Sequence, residues 1–198
     1  MTAAALAHDE LYQKRIRTGF GFWLFILSDM VVFSCLFAAH AVLAKNTAGG
    51  PGGSELFDLT NVAFETAFLL ASSFTCGLAS IAAGERNRLW FQIAMLVTCV
   101  LGLGFLALEI REFAGLIAQG AGPTRSAFLS SFYALVGCHG LHVFIGILWL
   151  LTMMAQVQAK GFRPDIQRRN LCFALFWHAL DIIWVAIFSI VYLLGVAL

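Results

Sequence analysis

The sequence predicts an all-α integral membrane protein, a bundle of five transmembrane helices. Hydrophobic residues make up 61% of the 198-residue chain and charged residues only 12%, about half the share found in soluble proteins. Five apolar runs each reach or exceed the roughly 20 residues that cross about 30 Å of hydrocarbon. They occupy residues 20–43, 61–83, 90–110, 127–154 and 171–196. Because short loops use up the rest of the chain, we expect polar groups inside the bilayer to carry the function.

Taken in order, the segments divide into residues 1–19, a polar arm, and residues 20–198, one five-helix transmembrane domain. The link at 84–89 is so short that the second and third spans should be antiparallel neighbours. The stretch 126–159 carries no charge and is too long for the hydrocarbon, so the fourth span should tilt or protrude. Gly102 and Gly104 in the third span predict close helix packing.

The basic residues are distributed unevenly between the two sides of the membrane. Threading the chain through five spans places nine of the twelve Lys and Arg on one side. The positive-inside rule then predicts a cytoplasmic N-terminus and a periplasmic C-terminus. A net charge of +1 gives no reason to expect nucleic acid as a partner. The nine are Lys14, Arg15, Arg17, Arg86, Arg88, Lys160, Arg163, Arg168 and Arg169.

Four acidic residues lie inside the apolar spans. A charge at the centre of a membrane helix costs about 2.5–3.5 kcal/mol on insertion scales. Such residues are therefore expected to be partnered, protonated or both, and to face the bundle interior. The four are Asp29, Glu65, Glu109 and Asp181.

Counting depth along each span sorts the intramembrane polar residues into two predicted layers. The mid-to-inner layer contains Asp29, His139, His142, His178 and Asp181. The outer layer contains His40, Glu65, Glu109, Arg111 and Glu112. Each layer gathers side chains from several spans, so each is a candidate site.

Spacing leaves several readings of the inner layer open. His139 and His142 share one helix face, as do His178 and Asp181, and a carboxylate one turn from an imidazole fixes its tautomer. The layer would suit a metal or haem site, a proton relay or a lipid site. It would equally suit a buried hydrogen-bond network that fixes helix register. No residue is singled out as a haem ligand, and none is assigned a catalytic, cofactor-binding or metal-binding role.

Four motifs in these spans resemble those of the haem-copper oxidase subunit III family. They are FILSD at 25–29, EIRE at 109–112, CHGLHV at 138–143 and FWHALDIIW at 176–184. The resemblance covers about residues 19–196. Five spans, an aspartate in the first motif and the TAGGP stretch at 47–51 resemble the cytochrome bo-type ubiquinol oxidase branch. Members from cytochrome c oxidases usually have seven spans and a glutamate in the first motif.

This resemblance implies a subunit of a bacterial inner-membrane complex that oxidises ubiquinol, reduces oxygen to water and pumps protons. Haem and copper are expected in subunit I and none on this chain. Subunit I is the expected main partner, with subunits II and IV and structural phospholipid as others. Alternatives are subunit III of a cytochrome c oxidase and an independent membrane metalloenzyme or transporter. The family's network and lipid-facing positions correspond to Asp29, Glu65, Glu109, His139, His142, His178 and Asp181.

Overall fold

The computed structural model describes residues 3–50 and 52–197, and within those residues it contains helices and turns without strands. The long helices are α1 (Ala3–Leu43), α3 (Leu59–Gly84), α4 (Arg88–Ala118), α5 (Ala127–Lys160) and α6 (Pro164–Ile187). A short helix α2 (Gly53–Leu56) precedes α3, and a π-helix (Phe188–Leu193) and α7 (Leu194–Ala197) continue α6. Five helical segments are long and apolar enough to cross a membrane, which confirms the predicted fold class.

The sequence encodes clear starts for four of these helices. The N-cap residues are Asp58 before α3, Asn87 before α4 and Ser126 before α5. Each side-chain oxygen accepts a hydrogen bond from a backbone N–H two or three residues later, which satisfies a donor that the helix itself leaves unpaired. Helix α6 begins with Pro164, whose missing N–H costs nothing in the first turn.

Several helices extend beyond the predicted spans, because hydropathy detects the apolar part of a helix and not its ends. Helix α1 runs unbroken through most of the predicted arm. Helix α4 continues to Ala118, just before Gly120 with its φ of 76°. Helix α6 starts inside the basic loop predicted between the last two spans. Helix α5 is one unbroken helix of 34 residues, about 50 Å long and longer than the hydrocarbon.

Helices α5 and α6 form the centre of the bundle. Helices α3 and α4 pack tightly together against them, as their short link predicted, and α1 lies on the other side against α5 and α6. Much of α1 is exposed, including Phe20, Trp23 and Val31. We call the end that carries Arg86 and Lys160 the basic end. The opposite end, where α3 begins, is the Asp58 end.

Glycines allow the closest helix contacts, as the sequence predicted. The Trp177 indole of α6 lies against Gly102 of α4 and Gly146 of α5. A Cβ added at either glycine would come within 3.0 Å or 2.9 Å of the ring. Gly104 likewise leaves room for Phe68, whose ring would meet a Cβ at 3.1 Å. Small residues at such points let helix backbones approach in a membrane, where the hydrophobic effect does not hold helices together.

Candidate functional site

Asp29 of α1 and His142 of α5 face each other. The distance from His142 Nε2 to Asp29 Oδ2 is 4.0 Å, and about a fifth of each side chain (21%) is exposed. His142 Nδ1–H donates to the Cys138 carbonyl at 2.7 Å, one turn earlier in α5. Because that bond fixes the ring, Nε2 is the nitrogen turned towards the carboxyl group. The structure thus brings together two members of the predicted inner layer.

A second polar group joins α6 to α3. His178 Nδ1 and Ser73 Oγ share a hydrogen bond of 2.7 Å, whereas Asp181 Oδ2 lies 4.0 Å from the same nitrogen. The sequence predicted that Asp181 would orient the imidazole, and that expectation needs correction: the hydrogen-bond partner is Ser73. The His178 side chain is 43% exposed and lines a groove of about 430 Å³ between α3 and α6.

His139 lies in the aromatic core. It is fully buried, with its ring centroid 5.2 Å from that of Trp184, 5.8 Å from Phe105 and 6.3 Å from Phe33. Within the described part of the chain, neither ring nitrogen has a hydrogen-bond partner. Although His139 and His142 are three residues apart, their rings have different surroundings and do not form one site.

The predicted outer layer gathers its carboxyl groups towards the Asp58 end. Glu65 of α3 and Glu109 of α4 are both buried. Glu112, one turn beyond Glu109, accepts a hydrogen bond of 2.9 Å from the Tyr192 hydroxyl of the π-helix. His40 of α1 lies at the same end of the bundle, but its hydrogen-bond partner is not one of these carboxyl groups. Its Nδ1 is 3.0 Å from the Ser131 hydroxyl of α5.

One residue of the predicted outer layer lies next to a residue of the predicted inner layer. The Glu109 carboxyl lies against Gly140, so that a Cβ added there would meet Oε1 at 2.5 Å. Gly140 directly follows His139, a residue predicted for the inner layer. The packing of α4 on α5 therefore brings the two predicted layers into contact.

Hydroxyl groups that sequence reasoning did not single out hold the central tryptophans. Trp177 Nε1–H donates to Ser72 Oγ at 3.1 Å, and Trp184 Nε1–H donates to Thr66 Oγ1 at 3.0 Å. Both acceptors belong to α3. Periodicity along the second span would have linked Thr66 to Ser73, the partner of His178, because these residues are seven apart and share one helix face. It would not have found Ser72, which lies on another face.

The contacts of the histidine rings bear on whether the described residues could ligate a metal ion. Across residues 3–50 and 52–197, no group of three or more His, Cys, Asp and Glu is arranged to hold a metal ion. The imidazoles instead contact a backbone carbonyl, a serine hydroxyl or aromatic rings. The arrangement can position polar groups and hold protons, and it favours the hydrogen-bond network among the readings left open by spacing.

Comparison with known proteins identifies the family to which this chain is similar. The profile of the family described as cytochrome c oxidase subunit III matches residues 3–196. Cytochrome bo(3) ubiquinol oxidase subunit 3 of Pseudomonas aeruginosa is 50% identical over 95% of this chain and 90% of its own.

Two relatives from Bacillus show similar coverage. Quinol oxidase subunit 3 of Bacillus subtilis is 41% identical over 88% of this chain and 86% of its own. Cytochrome c oxidase subunit 3 of a Bacillus species is 42% identical over 88% of this chain and 84% of its own. Since the profile spans almost the whole sequence and includes all four motifs, the chain belongs to the cytochrome c oxidase subunit III family.

Proposed function

We propose that this chain is the non-catalytic subunit III of a proton-pumping haem-copper ubiquinol oxidase. Such a complex oxidises ubiquinol and reduces oxygen to water, with haem and copper in subunit I. The observation that carries the proposal is the 50% identity to a ubiquinol oxidase subunit over 95% of this chain. Among residues 3–50 and 52–197, no group of three or more His, Cys, Asp and Glu is arranged to hold a metal ion, which supports a subunit without a redox centre of its own.

Partly exposed polar groups support a role in binding partners. Asp29 with His142 on one side, and His178 with Ser73 on another, reach the bundle surface within membrane-spanning helices. Polar groups at such depth are usually covered by protein or water, because contact with acyl chains costs several kcal/mol. Subunit I is the proposed main partner for these surfaces, with subunits II and IV as further contacts.

A groove between α3 and α4 supports phospholipid binding. It has a volume of about 430 Å³ and is lined mainly by apolar side chains, with Glu85 at the basic end. Arg86 and Arg88 occupy the adjacent turn and are exposed. Basic residues near a membrane surface attract anionic headgroups by about 1 kcal/mol each. The apolar lining residues include Leu78, Ile81, Trp90, Ile93 and Val97.

The basic end is proposed to face the cytoplasm of a bacterial inner membrane. Arg86, Arg88, Lys160, Arg163, Arg168 and Arg169 lie in or beside the turns at that end. The positive-inside rule counts basic residues in short loops of this kind. The chain would then be a multi-pass protein with its C-terminus in the periplasm.

Subunit III of a cytochrome c oxidase is a second candidate. The Bacillus cytochrome c oxidase subunit is 42% identical and this chain spans 84% of its length, so a short subunit III is not confined to quinol oxidases. Substrate specificity belongs to the complex, and the two candidates differ only in the electron donor.

The test is to purify the complex through a tag on this chain and to measure oxygen consumption with ubiquinol and with reduced cytochrome c. We expect oxidation of ubiquinol, and co-purification of the other oxidase subunits. A complex from cells lacking this chain should keep its haem spectrum and initial rate. It should lose yield or sustained activity, because a partner that binds only the folded state stabilises it by mass action.

Two outcomes would contradict the proposal. One is stoichiometric haem or copper on this chain purified alone. The other is loss of the haem spectrum from His139→Ala or His142→Ala in a fully assembled complex. Turnover with reduced cytochrome c and none with ubiquinol would replace the first candidate by the second.

A further inference from the structure

A polar cavity opens at the Asp58 end between α3 and α4. Its volume is about 320 Å³, which leaves room for several water molecules. Its polar lining comprises Asp58, Asn61 and Glu65 from the first turns of α3, and Arg111, Glu112 and Gln119 from the end of α4. It is distinct from the sites around His142 and His178, which lie on other faces of the bundle.

Glu65 is the deepest acidic group in the cavity lining. It is 1% exposed, yet it is one of the residues that line the cavity. Oε2 has no hydrogen-bond partner among the described residues. A buried carboxylate without a partner is strongly unfavourable, so this oxygen requires a proton, a water molecule or both. The cavity is the space from which either would come.

Glu109 of α4 is a second buried acid whose surroundings resemble those of Glu65. It is 3% exposed, and its Oε2 likewise lacks a partner among the described residues. The carboxyl group is close enough to Glu65 and to Glu112 for their charges to interact. Glu109 and Glu112 are also one turn apart on α4, where like charges repel. Three carboxyl groups from two helices therefore act on one another.

Tyr192 completes this cluster from the opposite side. The π-helix at Phe188–Leu193 carries the tyrosine, which is fully buried and donates to Glu112 Oε2 at 2.9 Å. π-helical turns are rare and often occur at functional sites. Other charged or titratable groups near the carboxyls are Arg111 and Asp58 in the cavity lining and Tyr133 of α5, which is within electrostatic range of Glu112.

We propose that this cavity is a hydrated proton-binding site in which Glu65, Glu109 and Glu112 share exchangeable protons through water. The described residues here are not arranged to hold a metal ion. Among the described residues that line the cavity, Arg111 is the one basic side chain beside three acids, so the lining carries more acidic than basic groups. Neighbouring carboxyl groups in a low-dielectric site do not all ionise together, and the remaining negative charge is removed by protonation.

Infrared spectroscopy of the purified complex tests this proposal through the carbonyl stretch of protonated carboxylic acids. Spectra of complexes with the wild-type chain and with Glu109→Gln are compared in H₂O and D₂O. We expect a carboxylic acid band that shifts in D₂O and is lost in Glu109→Gln. Glu65→Gln should shift or remove the same band. Asp165→Asn, at an exposed acid in the first turn of α6, is the control and should leave the band unchanged.

The same spectra contain the results that would overturn the proposal. An identical carboxylic acid band in Glu65→Gln, Glu109→Gln and Glu112→Gln would mean that none of these groups holds a proton. A band that stays unshifted in D₂O would mean that the cavity does not exchange protons with water. If the complex with Glu109→Gln fails to assemble, the Tyr192→Phe variant provides the test, because it keeps the aromatic ring and removes only the hydroxyl that donates to Glu112. That change should shift the band, and an unshifted band contradicts the proposal.

Discussion

At the residue scale, several buried side chains form hydrogen bonds with hydroxyl groups on a neighbouring helix. Trp177 and Trp184 donate to Ser72 and Thr66, and the Thr75 and Thr98 hydroxyls are 2.7 Å apart between α3 and α4. Hydrogen bonds between membrane helices contribute roughly 0.6 kcal/mol on average. Their main effect is to set which residues face each other, because a shifted helix would leave the same groups unpaired.

The pair formed by Asp29 and His142 gives a prediction at this scale. Asp29→Asn removes the possibility of ionisation but keeps the shape and adds an amide N–H that can face His142 Nε2, now 4.0 Å from the carboxyl. We expect assembly of the complex to survive, measured as the yield of subunit I that co-purifies with the chain. Ser34→Ala, at an exposed serine that bonds only its own helix backbone, is the control.

The prediction would be contradicted if the complex with Asp29→Asn failed to assemble while the complex with Ser34→Ala assembled normally. The carboxylate would then act as an anion paired with a cation, either protonated His142 or a partner's basic group. The inner polar group would in that case be an ion pair and not a neutral hydrogen-bond network.

At the element scale, helix ends and helix irregularities decide which groups meet. Helix α4 runs eight residues beyond the predicted end of its span, to Ala118, and its packing on α5 brings Glu109 against Gly140. The π-helix in the last span brings Tyr192 to Glu112. Neither feature follows from hydropathy, because the α4 extension begins with the charged residues Arg111 and Glu112 and the π-helix is as apolar as the α-helix before it.

The contact of Trp177 with two glycines gives a prediction for helix packing. Gly146→Ala places a methyl group 2.9 Å from the indole, in a region where the ring is also held against α4. Overpacking of this kind costs about 1–3 kcal/mol. We expect a lower thermal unfolding temperature of the complex and a reduced yield.

Gly77→Ala is the matched control for that change. Gly77 lies in α3, and a Cβ there would meet nothing within 4 Å. It should keep or slightly raise stability, because Ala is the better helix former. Equal thermal unfolding temperatures for the two variants would contradict this prediction. They would show that the helices around Trp177 accommodate the extra methyl group without loss of stability.

At the scale of the whole molecule, charge and apolar surface are distributed unevenly. The basic turns lie at one end, and α1 exposes much of its apolar side chain area. In a membrane, lipid or a partner helix covers that surface, so its exposure is compatible with a stable fold. The proposed orientation of the bundle rests on the charges, and the proposed contacts with other subunits rest on the exposed faces.

Reporter fusions test the orientation. Fusion after Leu198 should report the periplasm, and fusion at residue 162, between α5 and α6, should report the cytoplasm. The physical reason is that Lys and Arg in short loops are retained on the cytoplasmic side. The reverse pattern would overturn the proposed topology while leaving the five-helix fold intact.

The number of spans, the charge asymmetry and the motifs could be predicted from the sequence because each depends on local hydropathy or residue order. The sequence assigned Asp29 and His142 to one layer without predicting a pair, and the structure brings them to 4.0 Å from each other. The contact of Glu109 with Gly140 was not predicted, because it depends on how α4 packs against α5.

Only the tertiary structure decided which side chains meet around the helix axes. The sequence places residues on helix faces, but the rotation of each helix depends on packing against its neighbours. Packing at these rotations places Ser73 next to His178 and encloses His139 among aromatic rings. It also brings Glu65 and Glu112 to the same cavity. The candidate proton site therefore exists only in the assembled bundle, because its carboxyl groups come from separate helices whose relative rotation is set by packing.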